Sequence, residues 1–323
     1  MKIESEIVSC AVCGNTGYKV LGRGRDFEFN TSDDVWQTVE CISCSHVFLN
    51  PRPAINSVRS IYPSDYYPAL DFSTASQRFI LQIRSLLERP RYTQLRKYFS
   101  GSPHIIDFGA GDGRVLFLLR RIFGPTVRLT ALDIKFDAQT KEAFRQFGIN
   151  FSESLLESID ESSFLEKADV VIMTQVVEHL WNPNKVLKSC REILKDNGII
   201  FIETPNPKSF CRKLQGDVFW GGFHRPRHLN LFGKEPLVTL ARNNHYDLLS
   251  YRQFTVPAFW IVGLRNRLGL TARGGSGRFL EFISMRNIFV LGFFTVLEGL
   301  VGFLGMSRSN HRFLFELKVH DRR

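Results

Sequence analysis

Apolar and polar positions along this chain follow two rhythms. Between residues 100 and 254, short apolar runs stand at 104–108, 127–134, 149–151, 168–174 and 198–204. They are separated by stretches at 115–123, 136–147 and 183–195 in which apolar residues return every three or four positions. The first pattern has the length of buried strands, and the second places apolar side chains on one helix face. Strand and helix in alternation predict a doubly wound parallel α/β sheet. Upstream, Phe79, Ile83, Leu86 and Leu87 stand at helical spacing and predict a helix over 78–99 leading into that sheet. Residues 7–49 read as short strands with Gly and Asn turns. Pro51, Pro53, Pro63 and Pro68 mark an irregular connector, because proline lacks the N–H a helix needs. Two later strands are predicted at 246–254 and 312–320, separated by a long segment without strand character.

Composition narrows the class. With 323 residues, 44% hydrophobic and 23% charged, the chain can bury a core, which excludes globally disordered and low-complexity proteins. The formal charge of +10 is unevenly placed: residues 1–206 are nearly neutral, while 207–323 carry 18 Lys and Arg against 7 Asp and Glu. The first residues contain no apolar targeting run, so a cytoplasmic location is expected. Four of six cysteines fall as Cys10-x2-Cys13 and Cys41-x2-Cys44. Each pair supplies two corners of a tetrahedron, and two pairs close the shell of a structural Zn²⁺. The expected organisation is a zinc ribbon over 1–53, a connector and leading helix over 54–99, and an α/β domain over 100–256 completed by 312–323. A hydrophobic helical insertion occupies 257–311.

The strand at 104–108 runs into Asp107-Phe108-Gly109-Ala110-Gly111-Asp112-Gly113. Glycines here permit a sharp turn and close approach of a ligand to the next helix N-terminus. An acid just before them repels a pyrophosphate but suits a cationic amino-acid ligand. Asp133 ends the second strand, where a carboxylate can accept both hydroxyls of a ribose. Together these favour S-adenosylmethionine over a nicotinamide dinucleotide.

On these residues the chain resembles the class I S-adenosylmethionine-dependent methyltransferases, which have a seven-stranded Rossmann-like sheet. Thr174-Gln175-Val176-Val177-Glu178-His179-Leu180 and the turn Leu194-Lys195-Asp196-Asn197-Gly198 are similar to later motifs of that family. The resemblance implies that Asp107, Gly109, Ala110, Gly111, Asp133, Ile134 and Gln175 hold S-adenosylmethionine. It also implies Glu153 at the adenine end, although Ser152-Glu153-Ser154-Leu155 departs from the family's text. The cysteine ribbon followed by Val47-Phe48-Leu49-Asn50-Pro51-Arg52-Pro53 looks like the zinc-binding subgroup of saccharide and natural-product biosynthesis.

Methyl transfer to a hydroxyl or acidic C–H needs a base, and histidine titrates in the useful range. His179, His224 and His228 are the catalytic candidates, with His228 foremost. In the deoxysugar C-methyltransferases that this subgroup resembles, a Glu precedes that histidine. Here Arg227 stands there, offering a cation to a substrate phosphate or carboxylate. The expected reaction is therefore O-methylation of a saccharide or lipid-linked saccharide. The alternatives are C-methylation of a nucleotide-linked ketosugar, or a non-catalytic binding protein of this fold. Nucleic acid is disfavoured, because Gln175-Val176-Val177-Glu178 replaces the Asn/Asp-Pro-Pro-aromatic tetrapeptide of base methyltransferases.

Within the insertion, residues 288–306 contain one charge, Glu298. That run nearly reaches the length of a membrane span, about 18–20 residues. A single crossing would separate the strands at 246–254 and 312–320, so the expectation is a shallow peripheral contact through 257–306, or a lid or dimer surface. Arginines at the edges of the apolar runs suit anionic headgroups.

Overall fold

The computed structural model describes residues 2–62, 86, 88–164, 166–269, 282–285 and 287–318. Its first part is built from strands β1 (Ser5–Glu6), β2 (Tyr18–Gly24), β3 (Trp36–Cys41), β4 (Val47–Leu49) and β5 (Arg52–Pro53). Strands β6 (His104–Phe108), β7 (Arg128–Asp133), β8 (Asn150–Glu153), β9 (Ala168–Thr174) and β10 (Leu194–Pro205) form the parallel part of the main sheet. β12 (Tyr246–Phe254) and β13 (Asn310–Leu317) complete it. The order is β12-β13-β10-β9-β6-β7-β8, with β13 antiparallel to both neighbours. This seven-stranded arrangement is the Rossmann-like sheet expected from the sequence.

Period-two alternation explains why both faces are covered. Ile105, Val170 and Ile172 face one apolar cluster with Leu116 and Leu119 of helix α1 (Arg114–Phe123) and Phe144 of α2 (Ala138–Gln146). Ile106, Val171 and Met173 face the other, with Val186 and Leu187 of α3 (Pro183–Ile193) and Leu237 of α5 (Lys234–Asn243). Neighbouring residues of one strand thus enter opposite cores. Of the helix predicted over 78–99, residues 86 and 88–93 are helical and Gln94–Tyr98 tightens to a 3₁₀ turn; the remainder lies outside the described residues.

The cysteine-bearing sheet has the order β11-β4-β3-β2, and β11 (Asn230–Leu231) comes from the far side of the chain. Asn230 and Leu231 pair with Phe48 and Val47, and the Leu49 N–H donates to the Leu229 carbonyl at 2.9 Å. Residues just after His228 are therefore woven into the N-terminal sheet.

α4 (Phe210–Phe219), α6 (Ala258–Arg267) and α7 (Ile288–Phe303) form a helical cluster in which α6 packs on α7 through Trp260 and Phe294, and α4 lies against β2. The apolar run predicted at 288–306 makes a helix of only 16 residues. Among the described residues no helix is long and apolar enough to cross a membrane. Glu298 is buried, taking the Trp260 indole N–H and the Ser309 N–H.

Candidate active site

A cavity of about 580 Å³ opens at the carboxyl ends of β6, β7 and β9, where the strand order reverses about β6. Crevices at such switch points are where open α/β sheets bind ligands. Gly109 (φ 67°) and Gly111 (φ 53°) carry the chain round the turn in the left-handed region. A Cβ on Gly109 would lie 2.5 Å from Val176, so only glycine fits. The Gly109 and Ala110 N–H groups donate to the Leu132 carbonyl, tying the turn to β7.

Asp133 spans the same junction, accepting from the Gly111 N–H at 2.8 Å and the Ile134 N–H at 2.7 Å. Asp107 is buried, and burial together with Asp133 and Asp112 lifts its carboxyl well above the usual range. Burial also raises Asp133. Two buried acids lining one cavity are relieved by a cationic ligand. Asp107 and the glycine turn therefore fit the cationic amino-acid end of S-adenosylmethionine, and Asp133 at the tip of β7 fits its ribose hydroxyls. Asp107, Gly109, Ala110, Gly111, Asp133, Ile134 and Gln175 all line the cavity. Glu153 is not among the lining residues; its carboxylate accepts the Phe136 N–H at 2.6 Å and pairs with Lys141.

The three histidines gather in the same cavity. The His179 and His228 rings lie 4.6 Å apart, His224 and His228 4.9 Å, and all three line the cavity. His228 Nδ1 lies 2.8 Å from the Gly222 carbonyl, and His179 Nδ1 lies 3.1 Å from the Arg227 carbonyl. A carbonyl only accepts, so both rings are assigned the Nδ1–H tautomer. Burial holds His179 down at about 3 and His228 well below its ordinary value. His224 Nδ1 lies 2.7 Å from the carboxylate of Glu28, which arrives from the loop between β2 and β3. His224 itself is held at φ 38°, a conformation rare for non-glycine residues.

Arg227 corrects the sequence expectation. Its side chain has no exposure and pairs with the equally buried Asp26, Nη2 to Oδ2 at 2.6 Å, with the guanidinium 4.4 Å from the Phe29 ring. It is spent within the protein rather than offered to a substrate anion. Arg225 is likewise internal, donating to Thr38 and to the Asp217 and Val218 carbonyls.

The sequence missed Glu28, Tyr62, Phe259, Val262 and Met285, which also line the cavity. Tyr62 places its hydroxyl 2.9 Å from His179 Nδ1. No local signal identifies Glu28, which is 196 positions from its partner.

Cys10, Cys13, Cys41 and Cys44 bring their sulfurs within 4.8 Å of one another, with Cys10–Cys44 and Cys13–Cys41 each at 3.5 Å. A tetrahedral Zn²⁺ with bonds of about 2.3 Å needs sulfurs about 3.8 Å apart, so the set fits. Burial pushes the Cys10 thiol up to about 11 and raises Cys44, so a full set of thiolates needs a cation among them.

Comparison with known proteins gives consistent results. A family model described as a methyltransferase domain matches residues 77–251. The ubiquinone biosynthesis O-methyltransferase of Glaesserella parasuis serovar 5 is 29% identical over 110 residues, 32% of this chain and 45% of its own. That of Cereibacter sphaeroides (strain ATCC 17025) is 30% identical over 114 residues, 35% of this chain and 46% of its own. The chain spans about half the length of these curated relatives. The solved 1,6-didemethyltoxoflavin-N1-methyltransferase of Burkholderia thailandensis, with S-adenosylhomocysteine bound, is 12% identical. It superposes with a TM-score of 0.50 over 86% of this chain and 98% of that one, a likeness of fold.

Proposed function

We propose that this chain, which belongs to the methyltransferase-domain family and is a class I S-adenosylmethionine-dependent methyltransferase, methylates a hydroxyl oxygen, with the ribbon supplying part of the acceptor site. One observation carries the reading: the Asp107–Asp133 glycine turn and the three histidines line a single cavity. S-adenosylmethionine would supply an electrophilic methyl group, taken in line by the acceptor oxygen as the S–CH3 bond breaks and the neutral thioether leaves.

Asp107 and Gly109 to Gly111 would hold the amino-acid end, and Asp133 with Ile134 the ribose. Of the three histidines, we assign the acceptor's proton to His224. His179 and His228 are poor bases near neutrality because burial disfavours their charged forms. The Glu28 carboxylate accepts the His224 Nδ1–H at 2.7 Å and fixes the ring's tautomer and orientation, leaving Nε2 to take the proton. His228 and His179 then shape the acceptor wall.

The acceptor we propose is a hydroxyl of a lipid-linked molecule, a saccharide among them, met by a peripherally bound enzyme at the cytoplasmic face of a membrane. With Arg227 internal, the site offers no cation there to a nucleotide-linked ketosugar, and the apolar wall of Phe259, Val262 and Met285 supports an amphipathic acceptor instead. A structural Zn²⁺ on Cys10, Cys13, Cys41 and Cys44 would hold the loop that carries Glu28.

The test is transfer from methyl-labelled S-adenosylmethionine to polyprenyl phenols, lipid-linked saccharides and free saccharides. Label on oxygen is expected; label on carbon or nitrogen, or no calorimetric binding of S-adenosylmethionine, would overturn the proposal. Glu28→Gln should lower kcat about 10–100-fold with KM nearly unchanged, and Glu28→Asp should recover part of it.

A further inference from the structure

We propose that one face of α7, with the turn before it, seats on an anionic bilayer, and that the acceptor enters the cavity from that membrane. The acceptor half of this statement rests on the methyltransferase reading above; the membrane face does not. Phe289, Phe293, Val296, Leu300 and Phe303 follow one another at helical spacing along a single stripe, and they are 81, 63, 63, 54 and 85% exposed. Just before the helix, Phe282 and Met285 are also more than half exposed, and Met285 lines the cavity. Soluble proteins seldom leave so continuous an apolar surface in water.

The opposite side of α7 is fixed to the body. Glu298 is buried with Trp260 and Ser309 as partners, Phe294 stacks on Trp260 at 5.9 Å between ring centroids, and Val301 is buried. These contacts set the helix rotation, so the outward stripe is held in place. At about 1.5 Å per residue, 16 residues span about 24 Å, short of the roughly 30 Å hydrocarbon core. The helix can lie in the interface without crossing it.

Charge selects the occupant. Between residues 257 and 311 the basic side chains are Arg265, Arg267, Arg273, Arg278, Arg286 and Arg308, against Glu281 and the buried Glu298. Among the described residues, Arg265 reaches the Ile283 carbonyl and Arg308 lies beside Gly302 of α7, so two copies meeting through the stripe would bring like charges together, whereas anionic headgroups neutralise them. The cavity adjoins this face through Met285 and α6. Met285 is both half-exposed and part of the cavity wall, and α6, which packs on α7 through Trp260, contributes Phe259 and Val262 to the same wall. An acceptor whose hydroxyl reaches His224 can therefore keep its apolar tail in the bilayer.

The experiment is flotation of the full-length chain with equimolar phosphatidylglycerol–phosphatidylcholine vesicles and with phosphatidylcholine alone. Sedimentation velocity and S-adenosylmethionine calorimetry are run on the same samples. The wild type should float with anionic vesicles, and the Phe293→Asp/Phe303→Asp variant should float more than about tenfold less while still binding S-adenosylmethionine. Wild type that remains at the bottom overturns the membrane face; if it is also dimeric and the variant monomeric, a second copy covers the stripe instead. Protein that floats but binds no S-adenosylmethionine keeps the membrane face and sinks the methyltransferase reading.

Discussion

Arg227→Met tests how the acceptor wall is held. The Arg227 and Asp26 side chains have no exposure and meet at 2.6 and 3.2 Å. Removing one member of such a pair costs about 3–5 kcal/mol, because the other charge stays buried without its counter-ion. Two features adjust that range. Asp26 still accepts from the Phe29 and Thr31 N–H groups and the Thr31 hydroxyl, which favours the lower end. The guanidinium contact with Phe29 is also lost, adding about 1 kcal/mol. A net cost of about 3–4 kcal/mol corresponds to a melting temperature lowered by about 5 °C for a chain of this length. Guanidinium unfolding followed by tryptophan fluorescence reads it directly. Asp26→Asn/Arg227→Met should recover about 1–2 kcal/mol, since no unpaired charge remains. Were Arg227→Met to unfold within about 1 kcal/mol of wild type while raising the acceptor KM tenfold, the arginine would be a substrate ligand and the reasoning would fail.

Asp133→Asn should weaken S-adenosylmethionine binding about 10–100-fold by calorimetry, because the carboxylate that braces the Gly111 and Ile134 N–H groups loses its charge. Cys13→Ser should reduce zinc, measured by atomic emission, from about one per chain toward zero. It should lower activity as well, since β11 pairs with β4 beside the acceptor wall. A zinc-free variant with full activity would separate the ribbon from the site. His311 is buried against the Tyr251 hydroxyl and held at about 3, below its ordinary 6.5. Its contribution to stability is complete above pH 6.5 and is lost as pH falls toward 3, when only the unfolded chain takes up the proton. His311→Asn should therefore flatten stability against pH by about 1.4 kcal/mol per unit within that window; parallel curves would contradict it.

What the sequence alone determined is local. Ile105 beside Ile106, and Val170 through Met173, alternate with period two, so the strands and their two buried faces follow from composition and spacing. The glycine turn, Asp107 and Asp133 were legible because they lie where backbone conformation and strand ends dictate chemistry. The four cysteines were legible from their spacing. Tertiary structure decided the rest. Arg227 reads as a substrate cation until Asp26, 201 positions away, is seen to neutralise it. Glu28 carries no signal in its own neighbourhood and meets His224 only when the fold brings the loop after β2 to it. The apolar run at 288–306 has the composition of a near-span. Burial of Glu298 against Trp260 and Ser309 fixes it as a short surface helix with one face outward. A one-dimensional pattern specifies which side chains share a strand or helix face, but pairing of distant charges depends on which chain segments the fold packs together, and that is set by the whole core.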